Sequence, residues 1–309
     1  MSMICVVDIK KMRTAFLYIK ILGVMLAMAV GMMATTRKTT QGFKLGETEV
    51  KINLYENEGS NITFFSPHHN EQIARILARE FVDKYGGRLV EIESFDDKGK
   101  PSRYVRFTAN GKTFSLDPNR IFTDNGRTCD ALPAEIDVLV KDFADRLLKV
   151  IFADGKNLRD GEKFIVAVHN NTDVDSKEET SKSSDLTALA FVKTAGHGAF
   201  EAQAEGAFLS NMEFDSDNFI FLSSAKHLGF FVERSFNVVV QKSSAKLRTN
   251  GCNIDDGSLS VFSAQNNIQY ICLEADGTNG NFRQRQMFEA IYELLRELKP
   301  VDNKTVATR

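Results

Sequence analysis

Five histidines punctuate the chain, at positions 68, 69, 169, 197 and 227, and one of them opens a spacing that suits a metal ion. In FSPHHNEQ, residues 65–72, His68 and Glu71 stand three apart where an apolar, strand-like run gives way to a helical pattern. Residues three apart on a first helical turn point the same way, so both can reach one ion. His69 and Glu71 are two apart and fall on different faces. His68 is therefore the better ligand, and His69 is left to pack, hydrogen-bond or line a pocket. A hydrolytic zinc site needs three protein ligands of imidazole or carboxylate type and keeps its fourth position for water. Taken alone, the pair reads more simply as a polar helix start capped by Asn70 or a neighbour.

Three further stretches raise the metal reading. LDPNRIFT, residues 116–123, puts Asn119 and Arg120 just beyond a hairpin strand. There the rigid guanidinium fork and a neutral amide suit a carboxylate. FIVAVHNNT, residues 164–172, brings His169 out of the end of a buried strand, where sites of open α/β sheets lie. YICLEADG, residues 270–277, places Glu274 at the end of another. A carboxylate there is costly to bury unless it serves a charge or a water, which suits a general base beside a metal.

In this order, HHNE, DPNRIF, VHNNT and LEADG resemble the zinc carboxypeptidase superfamily, and within it the succinylglutamate desuccinylase/aspartoacylase branch. The resemblance spans about Phe64–Arg285. It implies a mixed, largely parallel sheet sandwiched between helices, with zinc as cofactor. It implies His68, Glu71 and His169 as metal ligands, Asn119 and Arg120 as a grip on a substrate carboxylate, and Glu274 as general base. The branch often carries another arginine ahead of the Asn-Arg pair. Arg103 and Arg106 both qualify, and Arg106 is preferred; three apart on a strand, they face opposite ways, so at most one looks into the site. His69 stands where the family has glycine, which makes the wall bulkier and more polar.

The elements needed to position these residues are legible in the periodicity. Asn70–Tyr85 carries a helical stripe at Ile73, Ile76, Leu77, Phe81 and Val82 and stops at Gly86-Gly87. Ala134–Phe152 is a second amphipathic helix, and Arg283–Leu298 a last one. Strands are expected at Asn61–Phe65, Arg88–Ile92, Phe164–Val168, Leu186–Val192, Phe219–Leu222, Phe236–Val240 and Ile268–Leu273. Tyr104–Thr108 and Lys112–Leu116 flank an Asn-Gly hairpin turn. Strands interleaved with helices give an α/β class. One domain over about residues 44–300 follows, with residues 301–309 as a tail. Asp173–Asp185 (DVDSKEETSKSSD) is a solvated loop close after His169, and His197 sits in a glycine-flanked turn.

Composition sets outer limits. The 309 residues are 43% hydrophobic and 26% charged, ordinary for a chain with a real core. A formal net charge of -2 provides no basic field, so nucleic acid is not an expected partner. Lys10, Lys11 and Arg13 precede the uncharged run Ile21–Ala34, whose 14 residues match a signal-peptide core. Residues 1–41 thus read as a signal peptide or membrane anchor followed by a polar linker, Thr35–Gln41. Membrane contact is expected only through that segment, and the globular part in the periplasm or anchored on the periplasmic side of the inner membrane. Cys129 and Cys252 sit in polar, turn-like surroundings and can pair in an oxidising compartment, while Cys272 reads as a small buried hydrophobe. The expected activity is that of an exported zinc metallopeptidase cleaving an amide bond of a carboxylate-bearing peptide, such as a peptidoglycan stem peptide. Deacylation of an N-acyl amino acid is the alternative, and a non-catalytic binding module a third.

Overall fold

The computed structural model describes residues 35–129, 131–153, 164–171, 187–192, 201–210, 216–242, 251–252, 254–277 and 281–298. The N-terminal apolar run, the Asp173–Asp185 loop, His197 and the tail lie outside the described residues. Among the described residues no helix is long and apolar enough to cross a membrane.

Eleven strands are described. Nine form one sheet in the order β1-β2-β4-β3-β7-β11-β9-β10-β8, and the other two, β5 and β6, form a separate hairpin. The middle of the sheet is made by β3 (Ile62–Ser66), β4 (Gly87–Glu93), β7 (Phe164–Asn171) and β11 (Tyr270–Asp276). These run parallel to one another. Their residues are nearly all buried, as expected for strands covered on both faces. The flanks are antiparallel. On one side lie β2 (Thr48–Asn57) and β1 (Arg37–Leu45). On the other, β9 (Phe219–Leu222) opposes β11 and runs parallel to β10 (Asn237–Gln241), which β8 (Ala204–Phe208) closes antiparallel. The sheet is mixed, with its parallel character confined to the centre and the β9–β10 pair.

One face is covered by helix α1 (Gln72–Tyr85) and the C-terminal helix (Asn281–Leu298, α6 below). Their stripes meet over Phe64: Phe288 is fully buried, 5.1 Å from the Phe64 ring and stacked at 4.9 Å on Phe81. The opposite face carries helix α3 (Ala134–Ile151), through Ile136, Val140, Phe143 and Leu147. Beside it packs the hairpin of β5 (Val105–Ala109) and β6 (Lys112–Leu116). Short helices α2 (Asp124–Cys129), α4 (Leu228–Val232) and α5 (Leu259–Gln265) complete the layers. A disulfide joins Cys129 at the end of α2 to Cys252, ahead of α5.

Two assignments made from the sequence change. Arg37–Gln41, read as linker, is the first half of β1, which pairs residue for residue with β2. Its alternating polar pattern is that of an edge strand with wet faces, and such strands look like loops by composition. Leu186–Val192, read as a strand, contains a 3-10 turn at Ala188–Phe191 whose first turn is capped by Thr187 accepting from Ala190 N. That hydroxyl offers the backbone an alternative to a ladder.

Replacing Phe288 by Ala should cost about 3–5 kcal/mol, because the two helices that close one face meet on that ring. Urea unfolding of the full chain measures it; a loss under about 1 kcal/mol would show that the face repacks.

Candidate metal centre

The carboxyl ends of β3, β7 and β11 lie side by side, and each delivers a polar group to one spot. His169 on β7 and Glu274 on β11 are register partners, so their side chains emerge on the same face. That face is the α3 side: Tyr270 and Cys272 alternate with Glu274 along β11 and belong to the core beneath that helix. His68 follows β3 after Pro67, and Glu71 is the N-cap position of α1.

Glu71 decides between the two readings of its motif. A helix-capping residue turns its side chain back onto its own first turn, yet no side-chain cap bond forms here. Asn170, next to His169 on β7, takes over instead: its Oδ1 accepts from Ala74 N in the first turn of α1. Glu71 is thereby free to face the histidines. Its Oε1 is 2.6 Å from His68 Nδ1, and its Oε2 is 3.1 Å from His169 Nδ1. The imidazole rings stand 4.9 Å apart. Potential ligand atoms of His68, Glu71 and His169 all lie within 4.8 Å of one another, and all three residues are buried.

Asp117, from the DPNR stretch, holds the far side of His68, with Oδ1 2.9 Å from Nε2. Its other oxygen accepts from Arg103 Nε at 3.0 Å, and Arg103 also reaches Glu71 Oε1 at 3.4 Å. Of the two arginines weighed from the sequence, Arg103 is the one at the site. Arg106 alternates between buried Val105 and Phe107 on β5, so its side chain points outward, where it pairs with Asp97. The preference for Arg106 is corrected on that ground: Arg103 precedes the strand and is not bound by its alternation.

Asn119 and Arg120 follow Asp117. Asn119 Oδ1 accepts from Leu259 N, which fixes the loop to α5, and Arg120 Nη1 lies 3.4 Å from Asp256 Oδ2. Two glycines make that approach possible. Gly126 and Gly257 pack backbone to backbone, and a Cβ on Gly257, at φ +78, would sit 2.1 Å from the Arg120 carbonyl oxygen. Glu71, Arg103, Asn119, Arg120, His169 and Glu274 all line one cleft. Cys272, buried in the core as read from the sequence, lines it too, and its thiol donates to Glu274 Oε1 at 3.2 Å.

His69 goes elsewhere. Its Nδ1 is 2.7 Å from the Ser94 carbonyl, its ring meets Phe95 edge-on at 4.8 Å, and it does not line the cleft. Burial lowers its pKa. His227 also stands apart, 3.3 Å from Gln269 Oε1.

The electrostatics match a centre built for a cation. Burial works against the charged forms of Glu71 and Asp117, but facing imidazoles outweigh it. His68 and His169 hold Glu71 at about 2. His68, then Arg103 and Arg120, hold Asp117 far below the usual carboxylate range. His68 is itself raised: burial opposes its charge, and Glu71 and Asp117 overcome that. Glu274 is raised, chiefly by burial and further by Glu71, while His169 pulls the other way. His169 Nε2 and Glu274 Oε2 are buried without a hydrogen-bond partner, and Glu71 Oε2 has only its ion-pair contact with His169. Two imidazoles and a carboxylate within reach of one point, with His169 Nε2 unpartnered, fit a divalent ion such as zinc, and Asp117 behind His68 is the outer carboxylate such ligands use.

No family model and no curated protein matches this chain. Solved structures do. A candidate metallopeptidase from Shewanella baltica is 11% identical over 84% of this chain and 86% of its own, with a TM-score of 0.38. An aspartoacylase family protein from Mesorhizobium loti is 11% identical over 82% and 67%, at 0.34. A candidate carboxypeptidase from Burkholderia mallei is 11% identical over 87% and 66%, at 0.40. The likeness is to metallopeptidase and aspartoacylase chains. At these TM-scores it carries no part of the functional reading, which rests on the residues themselves.

Two outcomes test the centre. His68→Ala should abolish stoichiometric zinc binding and His69→Ala should not, as read by metal analysis; Asp117→Asn should weaken binding about 10–100-fold. In the metal-free protein, stability from Glu71 and Asp117 is present above their ordinary values of 4.5 and 3.8 and is lost as pH falls below them. Stability from His68 is complete below 6.5 and is lost as pH rises through its raised value. The metal-free melting temperature should therefore decline on both sides, and zinc, replacing the proton on His68, should flatten the alkaline limb. A metal-free melting temperature that is flat above about pH 6.5 would contradict the His68 assignment.

Proposed function

We propose that this chain is a zinc-dependent hydrolase that cleaves an amide bond in a carboxylate-bearing substrate. One observation carries the reading: Glu274, a buried carboxylate with an unpartnered oxygen and a raised pKa, shares a cleft with Glu71 and His169 of the ligand cluster and with Arg120. When bound, zinc supplies a Lewis acid and brings the pKa of its water toward neutrality.

The protein's own groups perform the rest. Glu274 accepts a proton from the attacking water at Oε2 and returns it to the leaving amine. The Cys272 thiol on Oε1 keeps that carboxylate in one orientation. Arg103, held between Glu71 and Asp117, sets a cation where the carbonyl oxygen gains charge. Arg120 and Asn119 bind the substrate carboxylate and so align the scissile bond. The cleft, about 240 Å³ among the described residues, suits a small end group better than an extended chain.

The substrate reading follows the N-terminal segment. With the apolar run Ile21–Ala34 as the core of an export signal or anchor ahead of β1, the enzyme works in the periplasm or on the periplasmic side of the inner membrane. Its substrates there are peptides, peptidoglycan stem peptides among them. The small cleft also favours the second reading, an N-acyl amino acid deacylase.

Incubating the zinc-loaded protein with peptidoglycan fragments and with N-acyl amino acids, and following amine release, separates the two; release from neither would refute both. Glu274→Gln should keep its zinc and lose about 10²–10⁴-fold in kcat. Arg120→Ala should raise KM more than it lowers kcat, as the loss of a binding group would.

A further inference from the structure

The carboxylate grip is not purely cationic. Asp256 pairs with Arg120 at 3.4 Å, and both line the cleft. Asp256 is not needed to hold its loop. That work falls to its neighbour Asp255, which is buried and accepts from Thr123 Oγ1, Gly257 N and Gln265 Nε2. The Asp256 side chain makes one local bond, accepting from Ser258 N, which an amide oxygen would replace. The recognition half of the cleft thus offers one cation and one anion side by side, with the hydroxyls of Ser258 and Ser260 2.9 Å apart next to them.

This pairing constrains the ligand. A ligand bearing only a carboxylate meets Arg120 with part of its field already spent on Asp256, and it brings its own charge close to that carboxylate. Like charges juxtaposed in a partly dehydrated site are costly. A ligand carrying a carboxylate and an ammonium a few bonds apart satisfies both. We propose that the residue released by this hydrolase is zwitterionic at its distal end, with its carboxylate on Arg120 and Asn119 and a side-chain ammonium on Asp256. This rests on the hydrolase reading for which end of the substrate lies here; the charge pair itself does not.

The test uses full-length zinc-loaded Glu274→Gln protein, so that binding is read without turnover. The probes are Nα-acetyl diamino acids from 2,3-diaminopropionate to lysine, each beside its alkyl analogue lacking the side-chain amine, and the readout is calorimetry. The best amine should bind about tenfold or more tighter than its alkyl partner, the effect of one charged hydrogen bond. Adding Asp256→Asn should bring that ratio toward one. A ratio near one at every chain length before that change overturns the proposal, as does the absence of binding by any probe. So does an equal weakening of amine and alkyl probes by Asp256→Asn, which would make Asp256 only a positioning residue for Arg120. Hydrolysis of the same probes by the unsubstituted protein separates the two readings. Cleavage without discrimination removes this inference and leaves the hydrolase; discrimination without cleavage does the reverse.

Discussion

A carboxylate buried among imidazoles is the constraint on which the rest depends. Glu71 is almost wholly enclosed, and its charge is tolerable there only because His68 and His169 face its two oxygens. Each histidine is held in turn: His68 by Asp117, and the His169 backbone carbonyl by Gln284 from the C-terminal helix. Asp117 draws in Arg103. Removing any member leaves a buried charge uncompensated, so the cluster is conditional on all its parts and on the cation they suit.

The sheet topology makes that cluster possible. Parallel β3, β7 and β11 end together, and β9 reverses direction next to β11, which opens the cleft beside the strand that carries Glu274. The two faces divide the labour. Under α1 and α6 the packing is aromatic and dry, centred on Phe64, Phe81 and Phe288. On the other face the same strands turn Tyr270, Cys272 and Glu274 toward the cleft. Strand alternation thus separates the rigid support from the chemistry.

Much of this was legible in the residues. The buried central strands announced themselves as apolar runs, the long helices as stripes, and His68, Glu71, His169, Asn119, Arg120 and Glu274 converge as their places at strand ends implied. What was hidden depended on partners distant in sequence. Arg103 and Arg106 look alike until the hairpin's first residue is known: Arg103 lies ahead of β5 and reaches the cleft, while Arg106 on β5 does not. Asp117 reads as an ordinary turn residue because its partner His68 is 49 positions away. Cys272 sits in an apolar string, and only the alternation of β11 turns it toward Glu274. β1 is an edge strand of charged and hydroxyl residues, which composition cannot distinguish from a linker.

The cap supplied by Asn170 makes the metal motif less portable than its four letters suggest. One side-chain oxygen on a strand relieves a glutamate on a different element of the duty its position would impose, and the same amide group donates to Gln284 on the last helix. Grafting H-x-x-E onto another helix start, without an amide arriving from the adjacent strand, would let the glutamate fold back onto its own backbone. The transferable unit is therefore a junction of three elements, and the two residues that bear the signature are only its visible part.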